Sequence, residues 1–354
     1  MQRLGDYIKE YSVRNKLDED IPVYSVTNSN GFCCDYFGKE IASNNKKTYK
    51  IVPRNAFAYN PSRINVGSVD YQHYEDRVIV SPLYNVFMLD EKILPQYLYF
   101  YLKNPNTMKR IRTVASGSVR DNLKLSILCE FPIQVPSINR QQNIIEILEK
   151  TQRIIDEKSD ELEKLNNLIK ARFIEMFGDV YRTPKYPKQK WNEVVTIKNG
   201  KDYKKVAVKD GGYPVYGTGG EMARVREFLC PENTIIVGRK GTINNPLLVR
   251  EKFWNVDTAF GVIPGIKLHY LYFFWFCKMF DFSRLNRQAV LPSTTKADLL
   301  NIEIALPDMS LQNQFATFVT QVDKSKFALS NKLAMCNFYV RLVYDRIMHS
   351  RIDL

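Results

Sequence analysis

The chain has only three histidines and six cysteines, and neither type is arranged to hold a metal. Cys33, Cys34, Cys129, Cys230, Cys277 and Cys336 show no paired ligand spacing, so they read as reduced, mostly packed thiols and no zinc site is expected. His73, His269 and His349 have no serine or cysteine elbow nearby and read as surface or packing residues. There is no phosphate loop of the form GxxxxGK followed by Ser or Thr, and Gly217-Thr218-Gly219-Gly220 lacks the spacing of a dinucleotide fingerprint. Asn60-Pro61-Ser62-Arg63 only half matches the Asn-Pro-Pro-aromatic motif of amino-methyltransferases, because the second proline and the base-stacking ring are missing. Asp18-Glu19-Asp20 reads as a solvated turn, not an acid/base couple. The most apolar run, residues 268–276, is nine residues long and contains His269, whereas a membrane span needs about 20. The opening MQRLGDYIKE has no apolar signal region, which makes the cytoplasm the expected compartment. These absences point to recognition without turnover.

What is present is a soluble composition with real cores and an excess of base. The 354 residues are 45% hydrophobic with a mean hydropathy of −0.31, and the net charge is +13. That charge is uneven: +4 in 1–138, −1 in 139–178, +7 in 179–308 and +3 in 309–354. Two basic globular segments separated by a near-neutral stretch fit a polyanion held at two places.

The near-neutral stretch, 139–178, organises the rest. Leu148, Ile155, Leu162 and Ile169 recur every seven residues with Leu165 in the intervening seam, which predicts one stripe of a long helix. Asn139 is placed to cap its start, with Pro136 just before and Gln142 three residues on, and Gly178 to stop it. Such a helix would be about 57 Å long, a strut more than a core element. The pattern occurs twice. Pro307, Ser310, Gln312, Phe315, Val319, Leu333 and Val340 each stand 171 positions after Pro136, Asn139, Gln141, Ile144, Leu148, Leu162 and Ile169. Upstream, Tyr97-Leu98-Tyr99-Phe100-Tyr101 is echoed by Tyr270-Leu271-Tyr272-Phe273-Phe274. A shared lead-in plus a shared aromatic block is a repeat, beyond the periodicity any two amphipathic helices have in common.

The repeat sets the expected architecture: an α+β chain with a strand-rich domain over 1–138, a spacer helix over 139–178, a second strand-rich domain over 179–308 and a second spacer helix over 309–354. Strands are expected in 21–26, 49–52, 56–59, 77–80, 194–198, 234–237 and 260–263, with buried helices over 94–102 and 269–280. The second strut buries its stripe (Phe315, Val319, Val322, Leu329, Leu333, Cys336, Val340, Val343) most easily against the first, running antiparallel to it. Lys158, Arg172 and Lys326 interrupt these seams. Ile144, Ile145, Ile154, Leu168, Phe173, Ile174 and Phe177 give the first strut more apolar width than a two-helix seam needs. That surplus is open to a helical partner or to cover by the flanking domains.

One loop in each basic domain couples arginine to small, amide and hydroxyl residues: Asn60, Ser62, Arg63 and Asn65 in the first, Arg239, Lys240 and Thr242 in the second. Arginine grips phosphate or a guanine edge with two donors, and asparagine can do likewise to adenine. Lys46, Lys47, Arg112, Arg120, Lys204, Lys205, Tyr216, Thr218 and Arg287 complete the candidate DNA-contact set.

With these lead-ins, 131–141 and 304–312, and with Asn60-Pro61-Ser62-Arg63, Ser81-Pro82-Leu83-Tyr84, residues 238–242 and residues 253–259 in this order, the chain resembles a specificity subunit of a bacterial type I restriction–modification system. The likeness runs over nearly its whole length. It departs at the lead-ins, where Pro136-Ser137 and Arg140-Gln141 stand in place of the family's frequent Pro-Pro pair and Glu-Gln. The resemblance implies two target-recognition domains reading the halves of a bipartite, asymmetric site on double-stranded DNA, joined by two antiparallel coiled-coil helices with a pseudo-twofold relation. It implies two methyltransferase subunits that use S-adenosylmethionine, and restriction/translocase subunits that use ATP and Mg, in a phage-defence complex. No cofactor is then expected on this chain. A self-sufficient methyltransferase or nuclease would need the motifs found missing above, and a non-DNA scaffold would leave the basic loops without a role.

Overall fold

The computed structural model of the chain describes residues 2–34, 46–115, 122–181, 185–285 and 293–348. The chain folds as two compact units: 1–157 with 333–354, and 158–332. Each unit therefore takes a part of each long helix.

Unit 1 contains strands β1 (Ile8–Glu10), β2 (Ser25–Thr27), β3 (Gly31–Cys33), β4 (Lys50–Pro53), β5 (Phe57–Tyr59), β6 (Val69–Tyr71), β7 (Arg77–Val80) and β8 (Asn85–Leu89). The helices α1 (Pro95–Lys103), α2 (Pro105–Ala115) and α3 (Leu125–Cys129) follow, and the chain then enters α4 (Ile138–Phe177). The main sheet is antiparallel in the order β1-β8-β5-β6, and β2-β3 and β4-β7 form two separate ladders. The sheet's apolar residues Phe57, Tyr59, Val69 and Phe87 are buried against α1 (Tyr97, Leu98, Tyr101, Leu102) and against Ile145 and Leu148 of α4. The β-prone run at 21–26 makes a strand only at its end, because Pro22 cannot donate to a ladder.

Unit 2 continues with β9 (Lys188–Lys190), α5 (Trp191–Val194), β10 (Val195–Asn199), β11 (Ala207–Val208), β12 (Tyr213–Gly217), β13 (Gly220–Val225), β14 (Thr234–Gly238), β15 (Leu247–Val249), β16 (Trp254–Asn255) and β17 (Ala259–Pro264). After them come α6 (Tyr270–Met279), α7 (Lys296–Leu300), β18 (Glu303–Ala305) and α8 (Met309–Met348). Its main sheet has the order β10-β17-β14-β15, the same plan as unit 1 strand for strand. A second sheet, β11-β13-β12-β16, replaces the two small ladders. The repeat seen in the helices thus extends through the sheets.

Both long helices form where the heptads predicted them. α4 starts at Ile138, so Asn139 lies inside its first turn and does not cap it. Gly178 does take the left-handed conformation (φ 85°), its N–H donating to Ile174 O at 2.8 Å. Within unit 1, Ile144, Ile145 and Leu148 near the start of α4 share a core with Val340, Val343 and Tyr344 near the end of α8. Within unit 2, Ile169, Phe173 and Phe177 near the end of α4 pack on Phe315, Ala316, Val319 and Val322 near the start of α8. Opposite ends meet, so the helices are antiparallel. Between these cores the expected seam residues Ile155, Leu162, Leu165, Leu329 and Leu333 are only half-buried. Lys158 pairs there with Glu161 at 2.8 Å, and Lys326 with Asp323 at 3.3 Å.

One device seats each long helix on its unit. Gln141, fully buried in the first turn of α4, accepts Leu94 N–H (2.8 Å) and donates to Lys92 O (2.7 Å) and Pro136 O (2.8 Å). Gln312 in α8 accepts His269 N–H (2.8 Å) and donates to Lys267 O (3.0 Å) and Pro307 O (2.9 Å). Tyr97 and Tyr101 brace unit 1 by donating to Gln134 O and Pro132 O, and Tyr272 does so in unit 2 by donating to Ala305 O. The aromatic block and the lead-in repeat together because they touch.

Candidate nucleic-acid interface

In unit 1 the loop after β5 turns tightly. Asn60 Oδ1 accepts the N–H and hydroxyl of Ser62 (3.1 and 2.9 Å), and Arg63 and Ile64 N–H both return to Asn60 O. Ile64 is fully buried and anchors the loop, which leaves Ser62 and Arg63 exposed. Among the described residues the Arg63 guanidinium makes no hydrogen bond or ion pair. α2 supports the loop from the side, with Arg112 Nε donating to Asn65 O at 3.0 Å. Asn60, Ser62, Arg63, Asn65 and Arg112 are therefore brought together. Lys46 and Lys47 lie on a separate turn, where Lys46 approaches Asp20 at 4.0 Å. Arg120 and Arg287 lie outside the described residues.

In unit 2, Arg239 stands at the end of β14 with its backbone held on both sides: its N–H donates to Thr258 O (2.9 Å) and its carbonyl accepts Thr294 N–H (3.0 Å). Its exposed guanidinium lies 5.9 Å from the Phe260 ring centroid. Lys240 and Thr242 follow, both exposed. Asn244, in the same turn, is committed elsewhere: its side chain donates to Asp281 (2.7 Å) and accepts Phe282 N–H (2.6 Å). Hydrogen bonds from Ser283 and Asn244 hold the Asp281 carboxyl below its usual range. Tyr216 and Thr218 sit at the β12–β13 turn, and Lys204 and Lys205 on the turn before β11, in the second sheet.

Sequence reasoning passed over the β2–β3 hairpin of unit 1. Its turn, Asn28-Ser29-Asn30, is exposed and packs beside the 60–68 loop, and the two border a cleft of about 400 Å³. The run Thr27-Asn28-Ser29-Asn30-Gly31 between Val26 and Phe32 carries the turn residues that signal such a hairpin. Among the described residues no group of three or more His, Cys, Asp or Glu could hold a metal ion, and no helix is long and apolar enough to cross a membrane. Of the six thiols, Cys230 and Cys277 are buried as packing groups, which raises both, while Cys33, Cys129 and Cys336 are half-buried and Cys34 is exposed.

Two similar folds, each ending in a glutamine-anchored helix and each carrying an exposed arginine loop, define a duplicated recognition protein. The family description "type I restriction modification DNA specificity domain" matches twice, over residues 5–167 and 185–334, and the chain belongs to that family. It is the DNA-specificity subunit of a type I system and not an enzyme itself. Among solved structures, it is similar to the type I restriction-modification S subunit from M. genitalium, with 15% identity, TM-score 0.60, and 99% of this chain and 96% of that one covered. A chain from a type I R-M system, solved in work on complex assembly and conformational transition, has 14% identity and TM-score 0.57, with 99% and 97% covered. At these identities the likeness is one of fold. No curated protein matches the sequence.

Proposed function

We propose that the chain reads a bipartite, asymmetric DNA site, unit 1 taking one half and unit 2 the other, with α4 and α8 setting the unread gap. The observation that carries this reading is the pairing of one strand order in both main sheets with two unlike loop sets. A duplicated frame fits two half-sites on one duplex, and unlike loops fit different bases. The domain limits 1–138, 139–178, 179–308 and 309–354 follow the same logic. Arg63 and Arg239 are the best-placed base contacts, while Lys46, Lys47, Lys204, Lys205 and Lys240 suit phosphates.

The mid-helix apolar residues support docking of two adenine methyltransferase subunits. Leu168 is 48% exposed, Phe327 69% and Met335 71%, each an apolar side chain of a long helix left open to a partner. S-adenosylmethionine, ATP and Mg would belong to those subunits and to restriction/translocase subunits, in the cytoplasm of a bacterium. Methylome sequencing of a host carrying the chain and its modification partner tests the reading. It predicts one methylated motif with two different half-sites around a fixed gap, and a symmetric or continuous motif would defeat it.

A further inference from the structure

The cleft beside the β2–β3 hairpin joins the Arg63 loop to residues that sequence patterns did not single out. It is lined by Ser25, Asn28, Ser29, Asn60, Arg63 and Ser68 among others, with no acidic side chain. Those groups are neutral donors and acceptors plus one guanidinium.

The hairpin is fastened at two places, on Asp70 and against Gly67. Asp70, buried on β6, accepts Phe32 N–H through Oδ2 at 3.1 Å and Tyr71 N–H through Oδ1 at 2.8 Å. Gly31 (φ 57°) lets the hairpin close onto that carboxylate, since a Cβ there would stand 1.9 Å from Oδ2. Gly67 (φ 97°) does the same for Asn28, whose Oδ1 would lie 2.5 Å from a Cβ. Lys103 holds the loop side of that contact by donating to Gly67 O at 2.5 Å. Burial raises the carboxyl of the buried Asp70 and lowers the amine of the half-buried Lys103.

A rigid turn carrying Asn28 and Ser29, facing a loop that carries Arg63, is what base readout needs and what a phosphate contact does not. A phosphate offers only acceptors and is met by donors alone, whereas the pattern on a purine edge demands donors and acceptors together at fixed positions. We infer that this cleft is the base-reading site of unit 1, with Asn28 and Ser29 as specificity-determining residues beside Arg63, a purine major-groove edge as ligand, and Asp70 as the residue that positions the hairpin. The inference rests on the DNA-reading function proposed above.

The test is selection of bound duplexes from a randomised library by the full-length chain with its modification partner. Asn28→Ala and Ser29→Ala are expected to relax preference at one half-site by roughly 10- to 100-fold at the contacted base while the other half-site keeps its preference. Asp70→Ala is expected to relax the same half-site, and Asp70→Asn, which keeps one acceptor for Phe32 N–H and loses the one for Tyr71 N–H, to restore it in part. If Arg63→Ala relaxes that half-site while Asn28→Ala and Ser29→Ala leave it unchanged, the hairpin is not a reader and the inference falls. Equal loss of affinity on every sequence would make the cleft a phosphate contact and also overturn it. If the wild-type complex selects no sequence at all, it is the DNA-reading function that fails, which is a separate result.

Discussion

Units 1 and 2 share what holds the long helices and differ in what faces a ligand. The shared part is the four-stranded sheet, the aromatic helix and the buried glutamine with its three hydrogen bonds. The differing part is the second layer: two short ladders in unit 1, one of them the latched hairpin, and one four-stranded sheet in unit 2. The arginine loops differ too. Arg63 sits on a tight asparagine-centred turn, and Arg239 on a strand end gripped by Thr258 and Thr294. A frame that must seat a helix at one angle tolerates little change, because each buried polar group depends on the others. A surface that reads bases can diverge freely once the frame is secure.

The comparison can be broken most forcefully in the aromatic core of unit 2. Phe173 is 1% exposed and lies 5.5 Å from the rings of both Tyr272 and Phe315, so Phe173→Ala should cost about 3–5 kcal/mol. Hydrogen exchange should show the loss concentrated in unit 2, and a loss spread evenly over both units would argue against separate cores. Next, Gln141→Leu and Gln312→Leu should each cost about 2–3 kcal/mol, because each takes the partner from three backbone groups that are at least partly withdrawn from water. Denaturant melts should give matched penalties, and a large mismatch would mean the duplicated clamp does different work in the two places.

Smaller effects sharpen the divergent half. Arg63→Ala should weaken readout of one half-site and Arg239→Ala the other, each by about 1–3 kcal/mol, as measured by competition binding with single-base variants. Equal loss on all sequences would assign that arginine to phosphate. At the weak end, Lys158→Ala removes a partly exposed pair one turn apart and should change stability by about 0.3–0.5 kcal/mol in a thermal melt.

The long helices were legible because an apolar stripe recurring every seven residues fits a helix and neither a strand nor a loop. The repeat was legible because Gln141 and Gln312 sit in matching contexts. Their role as clamps was not legible, since the partner groups at Lys92 and Lys267 are backbone carbonyls with no side-chain signature. Strands such as β7 and β14 announced themselves through β-branched runs, while β2 was shortened by Pro22. Asn244 follows the Arg239 loop in sequence, and only the fold shows that Asp281 and Phe282, far along the chain, occupy its side chain. The hairpin at Asn28 was missed because its value lies in Asp70, a contact 38 residues distant from Phe32.

The central claim is that two unlike readers are held apart by a duplicated helical frame. Matched four-residue insertions in the middle of α4 and α8 add about 6 Å to each helix, close to two base pairs of duplex. Methylome sequencing of a host with the inserted chain should report both half-sites unchanged and the gap between them longer by about two base pairs. Changed half-site bases with the old gap retained would contradict the claim.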